Sequence, residues 1–448
     1  MSQPLARMTA LEVLNKVEIN GAYANLALAE QLRRRSLSEQ DRRLATELAY
    51  GTVKALGTLD WMIEHYIKMP RKKLSPVVLN ILRLGFFQLF FLPRIPAPVV
   101  CNETVALAAQ RGHRGIISFV NAVLRSAVRD PNRAVLPPRE KQPVEHLALK
   151  YFHPVWMVRR WFERLGADEC EALCQANNAV PPVTARVNTL KTDRESLLNT
   201  LAVGGAAAAR PSSLVPEGII LDEHEALDRL PALQAGLMQI QDESSMLASH
   251  VLRPRPGEFI IDACGAPGGK TTHIACLMGN QGRVLSIDIH KHKLALVKHN
   301  ARQLGISIVE TRQFDAASLH RHFRGQADRV LVDAPCSGLG VIRRKPDSRW
   351  RKKEDAIKEL PALQQAILAS AADCVKPGGV LVYSTCTTEP EENEEVINIF
   401  LARRDDFMAD VAGAWLPYPT QEKFVQLWPH RDGVDGFFIA RLVRRRGF

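Results

Sequence analysis

The spacing of apolar residues changes character once along this chain, and that change constrains the fold more than any other feature. From Ala6 to Val128 apolar positions recur every three or four residues, as in Leu11, Leu14 and Val17 or Leu79, Leu82 and Phe86, the pattern of helices that each bury one face. After Gln239 short apolar runs alternate with helical stretches: 258–262 then 270–277, and 283–289 then 291–304, with further runs at 328–332 and 379–384. Such alternation builds a parallel, doubly wound sheet. Between these regions an alternating run at 183–190, a helical stretch at 193–201 and an extended piece at 218–221 predict a small α/β segment of the split-βαβ sort. The polar, proline-containing stretch 130–143 reads as a linker, and 156–178 as further helix. The expected organisation is an all-α bundle over 1–140, a helical linker with a small α/β subdomain over 145–235, and an α/β domain over 236–448.

Charge is as unevenly distributed as periodicity. The chain carries +11, yet residues 1–150 alone hold 22 basic and 12 acidic residues, which leaves +1 for the remainder. Cations concentrated in one third of a chain suit a polyanion, and nucleic acid is the first partner to consider. With 46% hydrophobic residues over 448 positions, the chain has material for several cores, so disordered classes are excluded. The longest apolar stretch, 84–92, is broken by Gln88 and falls well short of the ~20 residues a membrane helix needs. No secretion signal stands at the N-terminus, and eight Cys lack the spacing of a disulfide framework, so a cytoplasmic protein with reduced thiols is expected. No C-x-x-C pair or His cluster marks a metal site, and none is expected; a monomer is the expected state.

The first βα turn after Gln239 reads Asp262-Ala263-Cys264-Gly265-Ala266-Pro267-Gly268-Gly269-Lys270-Thr271-Thr272. Its glycines let backbone approach a ligand, and the helix that follows offers free N–H groups. Gly269, Lys270 and Thr271 nearly complete a phosphate loop, but its first Gly position is Cys264, and G-x-G-x-x-G is not matched. Asp288, 26 residues beyond Asp262, closes the second strand where an acid accepts hydrogen bonds from ribose hydroxyls, so a nucleoside-containing ligand is favoured. Two further strands end in cysteine-bearing loops, Asp333-Ala334-Pro335-Cys336 and Ser384-Thr385-Cys386. Ligands of open α/β sheets bind outside the carboxyl ends of strands, so both thiols are expected to face the crevice of the glycine loop. The other thiols, among them Cys101, Cys170, Cys174, Cys276 and Cys374, lie on helical patterns where Cys is a small buried hydrophobe.

The segments DACGAPGGKTTH, VDAPCSGLGVIRRKPDSRW, YSTCTTEPEENEEV and DGFFIARL resemble, in order, the motifs of the S-adenosylmethionine-dependent RNA cytosine-5 methyltransferases. ELAYGTVKALGTLD, LRLGFFQL and VNAVLR resemble the NusB-like RNA-binding domain, and the combination is similar to the layout of enzymes that modify 16S ribosomal RNA. The resemblance implies a Rossmann-like methyltransferase domain behind a NusB-like bundle, with S-adenosylmethionine as cofactor and 16S ribosomal RNA as partner. It implies that Cys386 is the nucleophile, that Cys336 assists release, and that Asp333 contacts cytosine and the cofactor end of the pocket. The cofactor would be held by Cys264, Gly265, Ala266, Pro267, Gly268, Gly269 and Lys270 of the loop, with Asp288 at the ribose, Asp315 near the adenine, and Asp333. The family loop more commonly reads CAAPGGK; Gly265 replaces its first Ala, a change a glycine-rich loop is expected to tolerate.

The chemistry agrees with that assignment. Carbon 5 of cytosine is too weak a nucleophile to attack a sulfonium methyl until a thiolate has added at carbon 6. A second acid–base group must then help remove the carbon-5 proton and expel the thiolate. The basic stretch 343–353, with Trp350 inside it, suits a single-stranded backbone with one stacked base. Glu389, Glu391 and Glu392 around Pro390 read as an ordinary helix start. Two other readings compete: a transfer RNA substrate, and a non-catalytic RNA-binding factor, against which the two retained thiols speak.

Overall fold

A computed structural model describes residues 5–204, 207–224 and 227–447; the first four residues of the N-terminus read above for a secretion signal lie outside them. The chain divides into two compact units, one formed by the residues up to Ala179 together with Ile342–Lys353, the other by Val180–Val341 and the residues from Glu354 onward.

The first unit is helical. Its central helix, Pro76–Phe91, is apolar on nearly every side and buries a continuous run from Val78 to Gln88, so it forms the axis of the bundle's core. Ser75 accepts a hydrogen bond from Val78 N and Pro76 opens the first turn, two ordinary start signals. Ser38 likewise caps Glu39–Lys54, accepting from Asp41 N at 3.1 Å. Burying Arg83 in that central helix costs desolvation, which Asp60 offsets through paired contacts of 2.6 and 2.7 Å and Glu18 through one of 2.7 Å. The expected helix over 156–178 is two helices, Val155–Leu165 and Ala167–Ala176, parted where Gly166 takes φ +80°.

The unit also contains the basic stretch, and three of its residues, Arg349, Trp350 and Arg351, have partners within the helical unit rather than facing a strand of RNA. Arg349 is fully buried and donates to Phe152 O, Asn177 O and Asn178 Oδ1 at 2.9 to 3.1 Å. Trp350 Nε1 donates to Val53 O at 2.8 Å, and Arg351 donates to Gly21 O at 2.8 Å and pairs with Asp347. Composition cannot tell a cation that faces water from one that satisfies helix-end carbonyls, and here these side chains serve the latter need. Desolvation pulls the Arg349 guanidinium down to about 9.

The second unit holds two sheets. In the first, β1 (Val183–Val187), β2 (Ala207–Pro211), β3 (Gly218–His224) and β4 (Met238–Ile240) lie in the order β2-β3-β1-β4, antiparallel throughout. In the second, β5 (Phe259–Asp262), β6 (Arg283–Asp288), β7 (Val309–Gln313), β8 (Ala327–Asp333) and β9 (Val375–Thr385) are parallel. They are followed by β10 (Phe407–Asp410), β11 (Phe424–Leu427) and β12 (Phe437–Arg444). The order is β7-β6-β5-β8-β9-β12-β10, with β12 antiparallel to both neighbours and β11 beside it. Helices such as Gly269–Leu277 and Glu354–Cys374 cover the faces, and clusters around Ile261, Val332 and Tyr383 and around Ile260, Leu331 and Val382 fill the two sides. Among the described residues no helix is long and apolar enough to cross a membrane.

Candidate active site and cofactor cavity

The direction of strand addition reverses between β5 and β8, the place where an open sheet leaves a crevice at its carboxyl ends. A cavity of about 300 Å³ lies there, lined by Cys264 and Ala266 of the glycine loop, Asp288 at the end of β6, Asp315 after β7 and Asp333 at the end of β8. Five of the expected cofactor residues thus share one wall-to-wall space. Gly265, Pro267, Gly268, Gly269 and Lys270 stand behind it and shape the loop: Gly268 takes φ +107° and donates to Gly265 O at 2.8 Å, and Lys270 Nζ donates to Asp333 Oδ2 at 2.8 Å. Asp333 also accepts from Ser384 Oγ at 2.9 Å, so its carboxylate is aimed from two sides. Asp288 Oδ1 accepts from His290 N at 2.7 Å, and Asp315 Oδ1 accepts from Ala317 N at 3.0 Å while its side chain still lines the cavity.

Other parts of the wall come from Ile289, His290, Lys293, Phe314, Pro335, Leu363 and Ile367, which sequence reasoning did not single out. Ile289 and Leu363 are large apolar side chains left exposed at the cavity, where they could cover something flat and apolar. Only the position of Ile289 beside Asp288 hinted at this; Leu363 lies well inside the helix Glu354–Cys374, which is no local signature.

Beneath the loop sits an acid of another kind. Asp262 is fully buried, accepts from Thr271 Oγ1 at 2.6 Å, and is pushed up to about 7, chiefly by burial.

The two strand-end thiols converge. Cys336 Sγ and Cys386 Sγ are 3.3 Å apart, both half-buried, whereas Cys170, Cys174, Cys276 and Cys374 are buried in helices. Their loops are joined by Gly340 N to Cys386 O at 3.0 Å and by Ser337 Oγ to Thr387 Oγ1 at 2.8 Å. The neighbouring sulfur, burial and nearby acids push the Cys336 thiol well above its ordinary range, so it keeps its hydrogen. The expectation of no metal centre rested on spacing along the chain; folded, Glu217 Oε1 meets His250 Nε2 at 2.8 Å and His273 Nε2 at 2.6 Å, separations of hydrogen-bonded or paired groups.

An eight-strand sheet with one reversed strand between β9 and β10, and a glycine loop closing a cavity at the strand ends, defines a Rossmann-like methyltransferase. The chain belongs to the 16S rRNA methyltransferase RsmB/F family, whose model matches residues 249–443; the NusB family matches 4–129 and the RsmF/B-like ferredoxin-like domain 153–228. It is 41% identical to the Bacillus subtilis (strain 168) protein named "Probable ribosomal RNA small subunit methyltransferase B", with the whole of both chains aligned. It is 35% identical to "Ribosomal RNA small subunit methyltransferase B" of Pectobacterium carotovorum, over 98% of each chain. Among solved structures it is similar to one titled "Crystal Structure of PH0851", at 31% identity and TM-score 0.83 over 98% of each chain. NSun6 from Pyrococcus horikoshii, solved with SFG, is 26% identical with TM-score 0.59 over 65% of this chain and 98% of that one.

Proposed function

We propose that this protein transfers the methyl group of S-adenosylmethionine to carbon 5 of a cytidine in 16S ribosomal RNA, through a covalent bond between Cys386 and the base. The observation that carries the proposal is the pair of half-buried cysteines whose sulfurs lie 3.3 Å apart, with Cys336 next in sequence to Pro335 of the cavity wall. The cavity suits the cofactor chemically: Asp288 can accept ribose hydroxyls, Asp315 an adenine amine, and Ile289, Phe314, Leu363 and Ile367 offer apolar cover for the ring. When bound, the cofactor supplies an electrophilic methyl carbon.

The chain's own residues do the rest. The Cys386 thiolate adds to carbon 6, and the displaced π electrons make carbon 5 nucleophilic. Asp333, held by Lys270 and Ser384, presents an acceptor to the exocyclic amine of cytosine, which distinguishes it from uracil. After carbon 5 is methylated, Cys336 passes its hydrogen to the Cys386 sulfur as the carbon–sulfur bond breaks. The pair left on the Cys336 sulfur takes up the carbon-5 proton, and that C–H bonding pair restores the double bond. Cys386 ends as a thiol and returns one proton to solvent. The relatives named as ribosomal RNA small subunit methyltransferases support the substrate, and the NusB-family match over 4–129 supports a helical unit, roughly 1–140, that contributes RNA affinity. In this reading the enzyme works as a cytoplasmic monomer. Incubation with isotopically labelled cofactor and small-subunit RNA, followed by nucleoside mass spectrometry, tests it: label in 5-methylcytidine at one position is expected. Label in another nucleoside, or none, overturns it.

A further inference from the structure

The four-residue segment Pro390-Glu391-Glu392-Asn393 has the composition of a helix start, yet two of its side chains do not serve the helix. Asn393 is the cap residue of Glu394–Arg403 and its side chain makes no capping hydrogen bond. Instead its Oδ1 accepts from Thr385 Oγ1 at 2.5 Å and its Nδ2 donates to Thr387 O at 3.1 Å. Thr385 and Thr387 are the residues on either side of Cys386. Glu392 shows the same pattern at the other thiol. Its Oε2 accepts from Ser337 N at 2.8 Å and from Gln364 Nε2 at 3.1 Å, and that same amide donates to Pro335 O at 3.0 Å. Pro335 and Ser337 are the residues on either side of Cys336.

We propose that Glu392 and Asn393 form a clamp in which each residue brackets one of the two cysteines, and that they are positioning residues for the two thiol steps. The clamp rests on the reading of Cys386 and Cys336 given above and adds what sets their spacing. Both residues are fully buried. Their own backbone is tied to β9, because Tyr383 Oη donates to Glu392 O at 2.7 Å. A carboxylate buried with Oε1 lacking a hydrogen-bond partner among the described residues costs more than a neutral amide would, although an amide oxygen could accept the same Ser337 N–H. That charge faces Cys336: after the neighbouring sulfur and burial, the Glu392 carboxylate is one of the groups that push the thiol upward. Side-chain geometry, loop connection and charge all converge on the same two sulfurs.

The test uses the full chain with Glu392→Ala, Asn393→Ala and Glu392→Gln, alongside Cys336→Ala as control. Each variant is first matched for folded fraction and for cofactor affinity by calorimetry, then mixed with small-subunit RNA and cofactor. First-turnover methyl transfer and gel-stable protein–RNA adduct are measured. Glu392→Ala loosens the Cys336 loop, so adduct should accumulate several-fold while the first turnover stays near wild type. Asn393→Ala loosens the Cys386 loop, so the first turnover should slow by about tenfold, the scale of lost buried hydrogen bonds, without accumulation. Glu392→Gln keeps the bond from Ser337 and loses the charge, so adduct breakdown should keep its wild-type maximum while its pH profile moves to lower pH. Equal effects of the two Ala variants, in a set where Cys336→Ala still traps adduct, overturn the clamp. The opposite pattern keeps the clamp and exchanges the roles of the thiols. A Cys336→Ala control that traps nothing overturns the thiol chemistry, and the clamp's part in it.

Discussion

Gly265 has no room for a side chain. A β-carbon there would lie 2.2 Å from Ser286 Oγ and 2.8 Å from both Asp262 Oδ2 and Thr271 Oγ1. The hydroxyl and carboxyl cluster under the loop fills the space that a loop reading CAAPGGK gives to its first Ala, so such a loop needs a smaller neighbour or a shifted one. Gly265→Ala is expected to cost about 1–3 kcal/mol of stability by overpacking. Adding Ser286→Ala should recover part of that loss in chemical denaturation, whereas simple additivity of the two changes would contradict the contact. Asp262, in the same cluster, sets a pH dependence. Its folded value, about 7, lies above the ordinary 3.8, so the stability it contributes as a neutral acid is full below pH 4 and is lost as pH rises to 7. The loss is on the order of 4 kcal/mol. Asp262→Asn removes this titration, so the difference in unfolding free energy should move in the variant's favour between pH 4 and 7 and then level off. A difference independent of pH would contradict it.

Elements differ in how plainly the chain announces them. The helices between Leu5 and Arg129 follow from apolar spacing, β5 and β6 from short apolar runs before helical ones, and β8 and β9 from further apolar runs. β10, β11 and β12 escaped because the strand–helix alternation stops before them; their pairing is antiparallel and non-local, and DGFFIARL was legible only as a motif. Within the basic stretch 343–353, Arg349 and Arg351 misled for a different reason, since they are spent on carbonyls that only the folded helices bring near. Gly57 makes room for Trp350: a β-carbon there would meet the indole at 2.5 Å. Trp350→Ala is therefore expected to destabilise the helical unit by about 3 kcal/mol, the cost of removing a packed indole. Equilibrium denaturation of the full chain measures it. An unchanged stability with weakened RNA binding would return Trp350 to the base-stacking role.

Across the whole molecule, charge and chemistry are separated along the chain: residues 1–150 hold all but +1 of the net charge, and the strand ends after Gln239 hold the thiols and carboxylates of the site. Arg125 and Arg129 are exposed on the helix Arg114–Arg129 and pair with no carboxylate among the described residues. Reversing both to Glu should lower the slope of log affinity for RNA against log salt by about 1.5, since each phosphate contact contributes roughly 0.7–0.9. An unchanged slope would move the RNA surface elsewhere. The thiols, Asp288 and Asp333 were legible because strand ends announce themselves, and Asp315 only through the family resemblance; Ile289, Lys293, Leu363 and Ile367 were not, because a cavity wall gathered from separate segments leaves no pattern in any one of them. The central claim is that the two thiols take different steps, and one experiment reads it directly. Cys336→Ala and Cys386→Ala are each mixed with small-subunit RNA and cofactor and run on a denaturing gel, with methyl transfer scored in parallel. A slowly migrating protein–RNA complex with Cys336→Ala, and neither complex nor methylation with Cys386→Ala, is the predicted result. Methylation by Cys386→Ala at the wild-type rate would contradict it.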